Sequence, residues 1–156
     1  MTSTTRRQAL KRTGMLLAGP AAAAWLTPQA AHAAWPKAAF EAKTTKEVLA
    51  VMFPNSTPQK SDALTLVAPE LAENGTVVPV TVQSSLANVE SITVLADGNP
   101  RALVATFTLG KRAQAPITVR MKLAKSQDII AVAKAADGKT YMASRPIRVS
   151  IGGCGG

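Results

Sequence analysis

From Asp62 onward the chain alternates apolar and polar residues with a period of two. Ile117, Val119, Met121 and Leu123 stand against Thr118, Arg120, Lys122 and Ala124, so one face of that segment is dry and the other wet, as in a half-buried strand. Similar runs cover residues 63–68, 76–83, 90–96, 102–109, 128–135 and 139–151. Turn-forming residues separate them: Asn74-Gly75, Asp97-Gly98-Asn99-Pro100, Gly110-Lys111-Arg112 and Asp137-Gly138. Seven such runs predict an all-β domain, an immunoglobulin-like antiparallel β-sandwich. The pattern leaves the topology open, because no cysteine pair marks the core and Trp35 lies well before the first strand. Asn74-Gly75 and Asp137-Gly138 predict hairpins. Pro79 and Pro146, inside strand-like runs, predict edge positions or bulges.

Ahead of the sandwich the pattern differs. Residues 34–44 read as an irregular lead-in, after which Thr44-Thr45-Lys46-Glu47 has the T-x-x-E spacing of a capping box. A short N-terminal helix is expected next, with Val48, Val51 and Met52 on one face, Leu49 and Phe53 beside it, and Pro54 ending it. Residues 54–60 read as a linker. Earlier still, Arg6, Arg7, Lys11 and Arg12 precede an apolar stretch, Met15 to Leu26, and then Ala31-His32-Ala33, the order of a cleaved signal peptide. The apolar stretch contains Gly19 and Pro20 and is shorter than the ~20 residues a membrane-spanning helix needs. Thr5-Arg6-Arg7-Gln8-Ala9-Leu10-Lys11 resembles a twin-arginine export motif. The expected division is a twin-arginine leader at 1–33, lead-in, helix and linker at 34–61, the β-sandwich at 62–151 and a C-terminal arm at 152–156. The expected destination is the periplasm.

Removing that leader alters the chemistry available. The chain carries 18 Lys and Arg against 9 Asp and Glu, a net charge of +9, and four of the basic residues would leave with the leader. The others are scattered and aromatics make up only 4% of the chain, which argues against a nucleic-acid surface. His32, the one histidine, would leave too, and with it histidine-based catalysis or metal binding. A single cysteine makes neither an internal disulfide nor a thiolate metal cluster. No cofactor, no metal site, no catalytic residue and no enzyme activity of the chain's own are expected.

That cysteine stands in Ile151-Gly152-Gly153-Cys154-Gly155-Gly156. Gly152, Gly153, Gly155 and Gly156 make a narrow, flexible arm, long enough to carry Cys154 roughly 10 Å beyond Ile151. Such a thiol suits insertion into other proteins' active sites, as a point of covalent substrate attachment. It does not suit catalysis in place, because no base or oxyanion donor can be fixed around it. Two other readings stand beside this one. Gly155-Gly156 is also how ubiquitin-like sulfur carriers end, loading sulfur as a terminal thiocarboxylate with Cys154 a bystander, and a purely structural sandwich could use Cys154 to crosslink.

The glycine-flanked cysteine, the stretch Ala68-Pro69-Glu70-Leu71-Ala72-Glu73-Asn74-Gly75-Thr76-Val77-Val78-Pro79-Val80 and the turn Asn99-Pro100 together resemble the SoxY family, the substrate carriers of the Sox multienzyme pathway that oxidises thiosulfate in the bacterial periplasm. Arg101 departs from the family pattern, where a further proline is expected. The resemblance implies a heterodimer with a small β-sandwich subunit, SoxZ, and a cycle of sulfur intermediates held on Cys154. It also implies transient partners: a SoxAX cytochrome complex that loads thiosulfate, a SoxB hydrolase that releases sulfate, and a sulfane dehydrogenase.

Overall fold

The computed structural model describes residues 36–110, 113 and 115–151. The leader, Trp35, Lys111-Arg112 and the arm with Cys154 lie outside them. Two helices come first, α1 (Lys37–Glu41) and α2 (Thr45–Met52). Nine strands succeed them among the described residues: β1 (Gln59–Lys60), β2 (Leu64–Val67), β3 (Leu71–Asn74), β4 (Val78–Ser84), β5 (Val89–Ala96), β6 (Leu103–Thr108), β7 (Ile117–Met121), β8 (Gln127–Ala135) and β9 (Thr140–Ile151). The seven alternating runs correspond to β2 and β4–β9.

The strands form two facing sheets, an immunoglobulin-like sandwich. One sheet is six-stranded, in the order β1-β9-β8-β5-β6 with β3 also on β9, and the other is three-stranded, in the order β2-β4-β7. Their inward side chains build one core, including Leu64, Leu66, Val78, Val80, Val82, Ile92, Val94, Ile129, Ala131 and Ile147. A second cluster lies on the other face of the large sheet, where Ala39, Ala42, Val48 and Phe53 pack against Leu95, Ala102, Leu103 and Val132. Strand β5 is therefore buried on both faces from Ile92 to Ala96.

The structure corrects the sequence reading in several places. The lead-in contains α1, five residues long, too short for periodicity to reveal and held by packing of Ala39 into the second cluster. The capping box on α2 is formed, with Thr44 Oγ1 accepting from Glu47 N–H and Glu47 Oε2 accepting from Thr44 N–H. Its buried face is centred on Val48, however, and Val51 is 46% exposed. The expected linker holds β1, which runs parallel to β9 in register Gln59↔Tyr141. Strand β3 also runs parallel to β9, so the sandwich is antiparallel in every pairing except the two that β1 and β3 make with β9.

The two expected hairpins part company. Asp137-Gly138 turns β8 into β9, with Gly138 at φ +83°, Gly138 N–H on Ala135 C=O and Ala135 N–H on Lys139 C=O, a turn whose left-handed residue favours glycine. Asn74-Gly75 joins no hairpin: β3 belongs to the large sheet and β4 to the small one. The prolines lie at gaps in the ladders. Pairing of β2 with β4 ends at Val67↔Thr81, leaving Pro79 opposite Arg120 of β7 only. Pro146 lies on β9 between the stretch paired with β1 and the stretch paired with β3, where its missing N–H removes no ladder bond.

Candidate functional site

Strand β9 is the element that leads to Cys154. Its last three pairings on the outer edge are with β3, at Leu71↔Arg148, Ala72↔Val149 and Asn74↔Ile151, and Arg148 N–H donates to Glu70 C=O at 2.9 Å. The stretch that carries the family resemblance, Ala68 to Val80, thus forms the wall beside the root of the tail. Cys154 stands three residues after Ile151, so chain connectivity alone keeps it within roughly 10 Å of this wall's end. The arm glycines and Cys154 are outside the described residues, and the root alone defines the site's geometry.

Three devices hold that root. Asn74 Oδ1 accepts from Thr76 N–H at 2.8 Å and from Thr76 Oγ1, an Asx turn that sends the chain from β3 across to β4. Gly75 C=O accepts from Leu123 N–H at 2.8 Å, tying this crossing to the residues after β7. On the other edge of β9, Ser126 Oγ accepts from Val149 N–H at 2.9 Å, extending the β8 ladder one residue beyond Gln127 with a side chain. Both edges of β9 are thus bonded close to its end.

Behind Ser126 lies a polar knot around the Asp97–Asn99 turn. Gly98 N–H donates to Gln127 Oε1 at 2.7 Å, Gln127 Nε2 donates to Asn99 Oδ1 at 2.9 Å, Asn99 Nδ2 donates to Lys122 C=O at 2.8 Å, and Ala124 N–H donates to Asn99 Oδ1 at 3.0 Å. Asp97 in turn accepts from Thr45 N–H at 2.8 Å and from its hydroxyl at 2.7 Å. These bonds, first that from Thr45 N–H and then that from its hydroxyl, hold the Asp97 carboxyl below its ordinary value, with the positive charge of Lys125 adding a smaller push against a slight burial effect. Helix α2, the β5–β6 turn and the β7–β8 connection are locked together on one side of the root.

Arg120, Lys122 and Lys125 are exposed, matching the solvated faces their spacing implies. The described residues include no histidine and no cysteine, and no three metal-ligating side chains gather among them. Sequence reasoning missed Ser126, Gln127 and the Gly75–Leu123 bond, since a single serine before a strand or a glutamine at its first position carries no periodic signal. It found Asn74 but assigned it the wrong turn.

The arrangement defines a class: a β-sandwich whose last strand, braced on both edges, ends three residues before the chain's one cysteine. Within that class, the chain belongs to the SoxY family, matching the profile of the sulfur oxidation protein SoxY over residues 49–154. Among solved structures it is similar to the sulfur carrier protein SoxY from Chlorobium limicola f thiosulfatophilum, with 35% identity, a TM-score of 0.62, and coverage of 68% of this chain and 96% of that one. It also shares its fold with the superoxide reductase (neelaredoxin) from Ignicoccus hospitalis, at 18% identity and a TM-score of 0.51 over 56% of this chain and 80% of that one. The second likeness is one of fold alone. Among curated proteins none matches the sequence significantly.

Proposed function

We propose that this protein is a covalent carrier of sulfur intermediates in thiosulfate oxidation, with Cys154 as the attachment point. The observation that carries the proposal is that the family match runs through β9 and its bracing strand to Cys154 itself. The rigid root and the four glycines of the tail divide the labour: the sandwich is a handle, and the thiol is offered to enzymes that supply the catalytic groups. Loading is an oxidation. The Cys154 thiolate and the sulfane sulfur of thiosulfate form an S–S bond, giving Cys-S-S-SO₃⁻, and two electrons pass to a cytochrome partner of SoxAX type. Water then cleaves the bond to the sulfonate sulfur, releasing sulfate and protons and leaving a persulfide on Cys154, the work of a SoxB-type hydrolase. A sulfane dehydrogenase and a further hydrolysis return the thiol. The carrier works as a heterodimer with a SoxZ-like subunit in the periplasm, exported by the twin-arginine leader.

Mass spectrometry of the protein taken from its native compartment tests this reading. Sulfur or thiosulfonate mass on Cys154 is the expected result. Sulfur on the terminal carboxyl of Gly156 would assign the chain to thiocarboxylate chemistry, and a disulfide dimer as the sole modified form would assign it a structural role. In a reconstituted oxidation system, Cys154→Ser is expected to abolish turnover while leaving the thermal unfolding midpoint unchanged. Near-normal turnover by that variant would sink the carrier reading.

A further inference from the structure

On the edge of β9 opposite β8 there is a gap. Met142 C=O accepts from Ser61 N–H at 3.2 Å, next to β1, and Arg148 N–H donates to Glu70 C=O, next to β3. By strand alternation, the even-numbered residues between them, Ser144 and Pro146, turn their backbone groups toward the gap. Across it lies β2. The space between is a cavity of about 460 Å³ whose polar lining comes from Lys60, Ser61, Asp62, Thr65, Ser144 and Arg145.

Arg145 is out of place by the logic of the sandwich. It occupies the inward row of β9 with Ala143 and Ile147, and Ile147 is 1% exposed. Its cross-strand partner is the fully buried Ile129. Among the described residues the guanidinium makes one ionic contact, from Nη2 to Glu70 Oε1 at 3.8 Å, between side chains that are 36% and 82% exposed. Its Nε is buried and meets no acceptor among the described residues. A buried N–H left without an acceptor is costly even where the rest of the guanidinium reaches solvent, and a neutral side chain at this position would avoid that cost.

We propose that this cavity is a non-covalent oxyanion site, taking a tetrahedral sulfur oxyanion such as sulfate or thiosulfate. The fork of Nε and the neighbouring Nη of Arg145 matches two oxygens of such an anion, Ser144 N–H offers a backbone donor, Lys60 supplies a second positive charge at the rim, and the hydroxyls of Ser61 and Thr65 are further donors. Asp62 is the one carboxylate in the lining, and Glu70 approaches Nη2, the nitrogen that shares the fork with Nε, only at 3.8 Å and from an exposed side chain, a loose contact that an entering anion displaces. A strand from another protein fits the gap poorly. Only residues 143–147 of β9 are free there, and Pro146 lacks the N–H that a ladder would need. A compact anion uses what the gap contains.

The test uses the full chain with Cys154→Ser, so that thiosulfate cannot become attached and the covalent carrier reading stands or falls separately. Nitrogen-15 NMR tracks the Arg145 Nε–H and Ser144 amide signals while sodium sulfate or sodium thiosulfate replaces sodium chloride at constant ionic strength. The expected result is saturation of both signals with one dissociation constant. Arg145→Gln weakens binding by about tenfold or more, and the exposed Lys60→Gln by about two- to fivefold, with amide dispersion unchanged. Shifts that rise linearly without saturating, or an unchanged constant in Lys60→Gln and Arg145→Gln, overturn the proposal. Acetate binding as tightly as sulfate also overturns it, assigning the cavity to a carboxylate side chain of a partner. If Arg145→Gln does not fold, the Arg145 signal in the parent chain and the Lys60→Gln variant decide the matter.

Discussion

At the scale of single residues, the site root depends on close approaches that tolerate no added atoms. A methyl group on Gly98 would lie 2.9 Å from Gln127 Cβ, and the same glutamine bonds Gly98 N–H and Asn99. Gly98→Ala is therefore expected to destabilise the protein by about 1–3 kcal/mol, read from urea unfolding. Gly110→Ala is the control, since nothing lies within 4 Å of a methyl group there. Should both variants unfold at the same urea concentration, the knot does not bear on stability. Asp97 gives a second expectation, with a pH sign. Its carboxyl is held below the ordinary value of 3.8 by its bonds to Thr45, so its contribution is present above that value and is lost as pH falls through the lowered one. Asp97→Ala should be less stable than the parent by about 1 kcal/mol at neutral pH, and the gap should close as the pH falls below 3.8 and through the lowered value. A gap that persists in acid would mean that the charge is irrelevant and the loss lies elsewhere.

Among the elements, β9 matters most. It pairs with β8, β1 and β3, and its final pairing, Asn74↔Ile151, fixes where the tail begins. With the root held firmly, the slenderness of the glycine arm becomes consequential. Replacing Gly153 and Gly155 by Val places a stiff, branched side chain on each side of Cys154. Alkylation by a small reagent should stay within a few-fold of the parent, whereas turnover by the partner enzymes should fall by orders of magnitude, as expected when a reacting atom is displaced by ~1 Å. Equal losses in both assays would show that the glycines tune the thiol instead of its access. Helix α2 and the seven alternating strands were legible in sequence because each repeats its signal over several residues. The strands β1 and β3, two and four residues long, were not. Both are strands only because β9 lies beside them.

For the molecule as a whole, the open features are its edges. Strand β6 ends the large sheet, and β2 and β7 end the small one. Apolar Val67, Leu71 and Val77, each at least half exposed at 50%, 52% and 60%, fall in the stretch that includes the wall beside the tail. Free edges and exposed apolar residues call for cover, which supports assembly with a second β-sandwich subunit through a strand-built, mainly apolar interface. Light scattering on a mixture with a SoxZ-like partner should give the mass of a heterodimer at micromolar concentration. A mixture of monomers alone would argue decisively against that assembly.

The chain's alternation, its turn residues and its glycine-flanked cysteine determined by themselves that this is a β-sandwich with a candidate thiol at its end, because each of those signals is local. Alternation fixes which face of a strand is dry, and a missing Cβ is a property of glycine wherever it stands. The tertiary structure decided what lies beside what. Asn74-Gly75 has the composition of a hairpin, yet it carries the chain between sheets because β3 finds its partner in β9, more than seventy residues away along the chain. Arg145 shares the odd-numbered row of Ile147 and Val149 in the sequence itself, yet nothing in that row announces the gap it meets, which only the packing of β2 beside β9 creates. Contacts between segments distant in sequence leave no periodic trace in either one, and it is those contacts that build the root of the site.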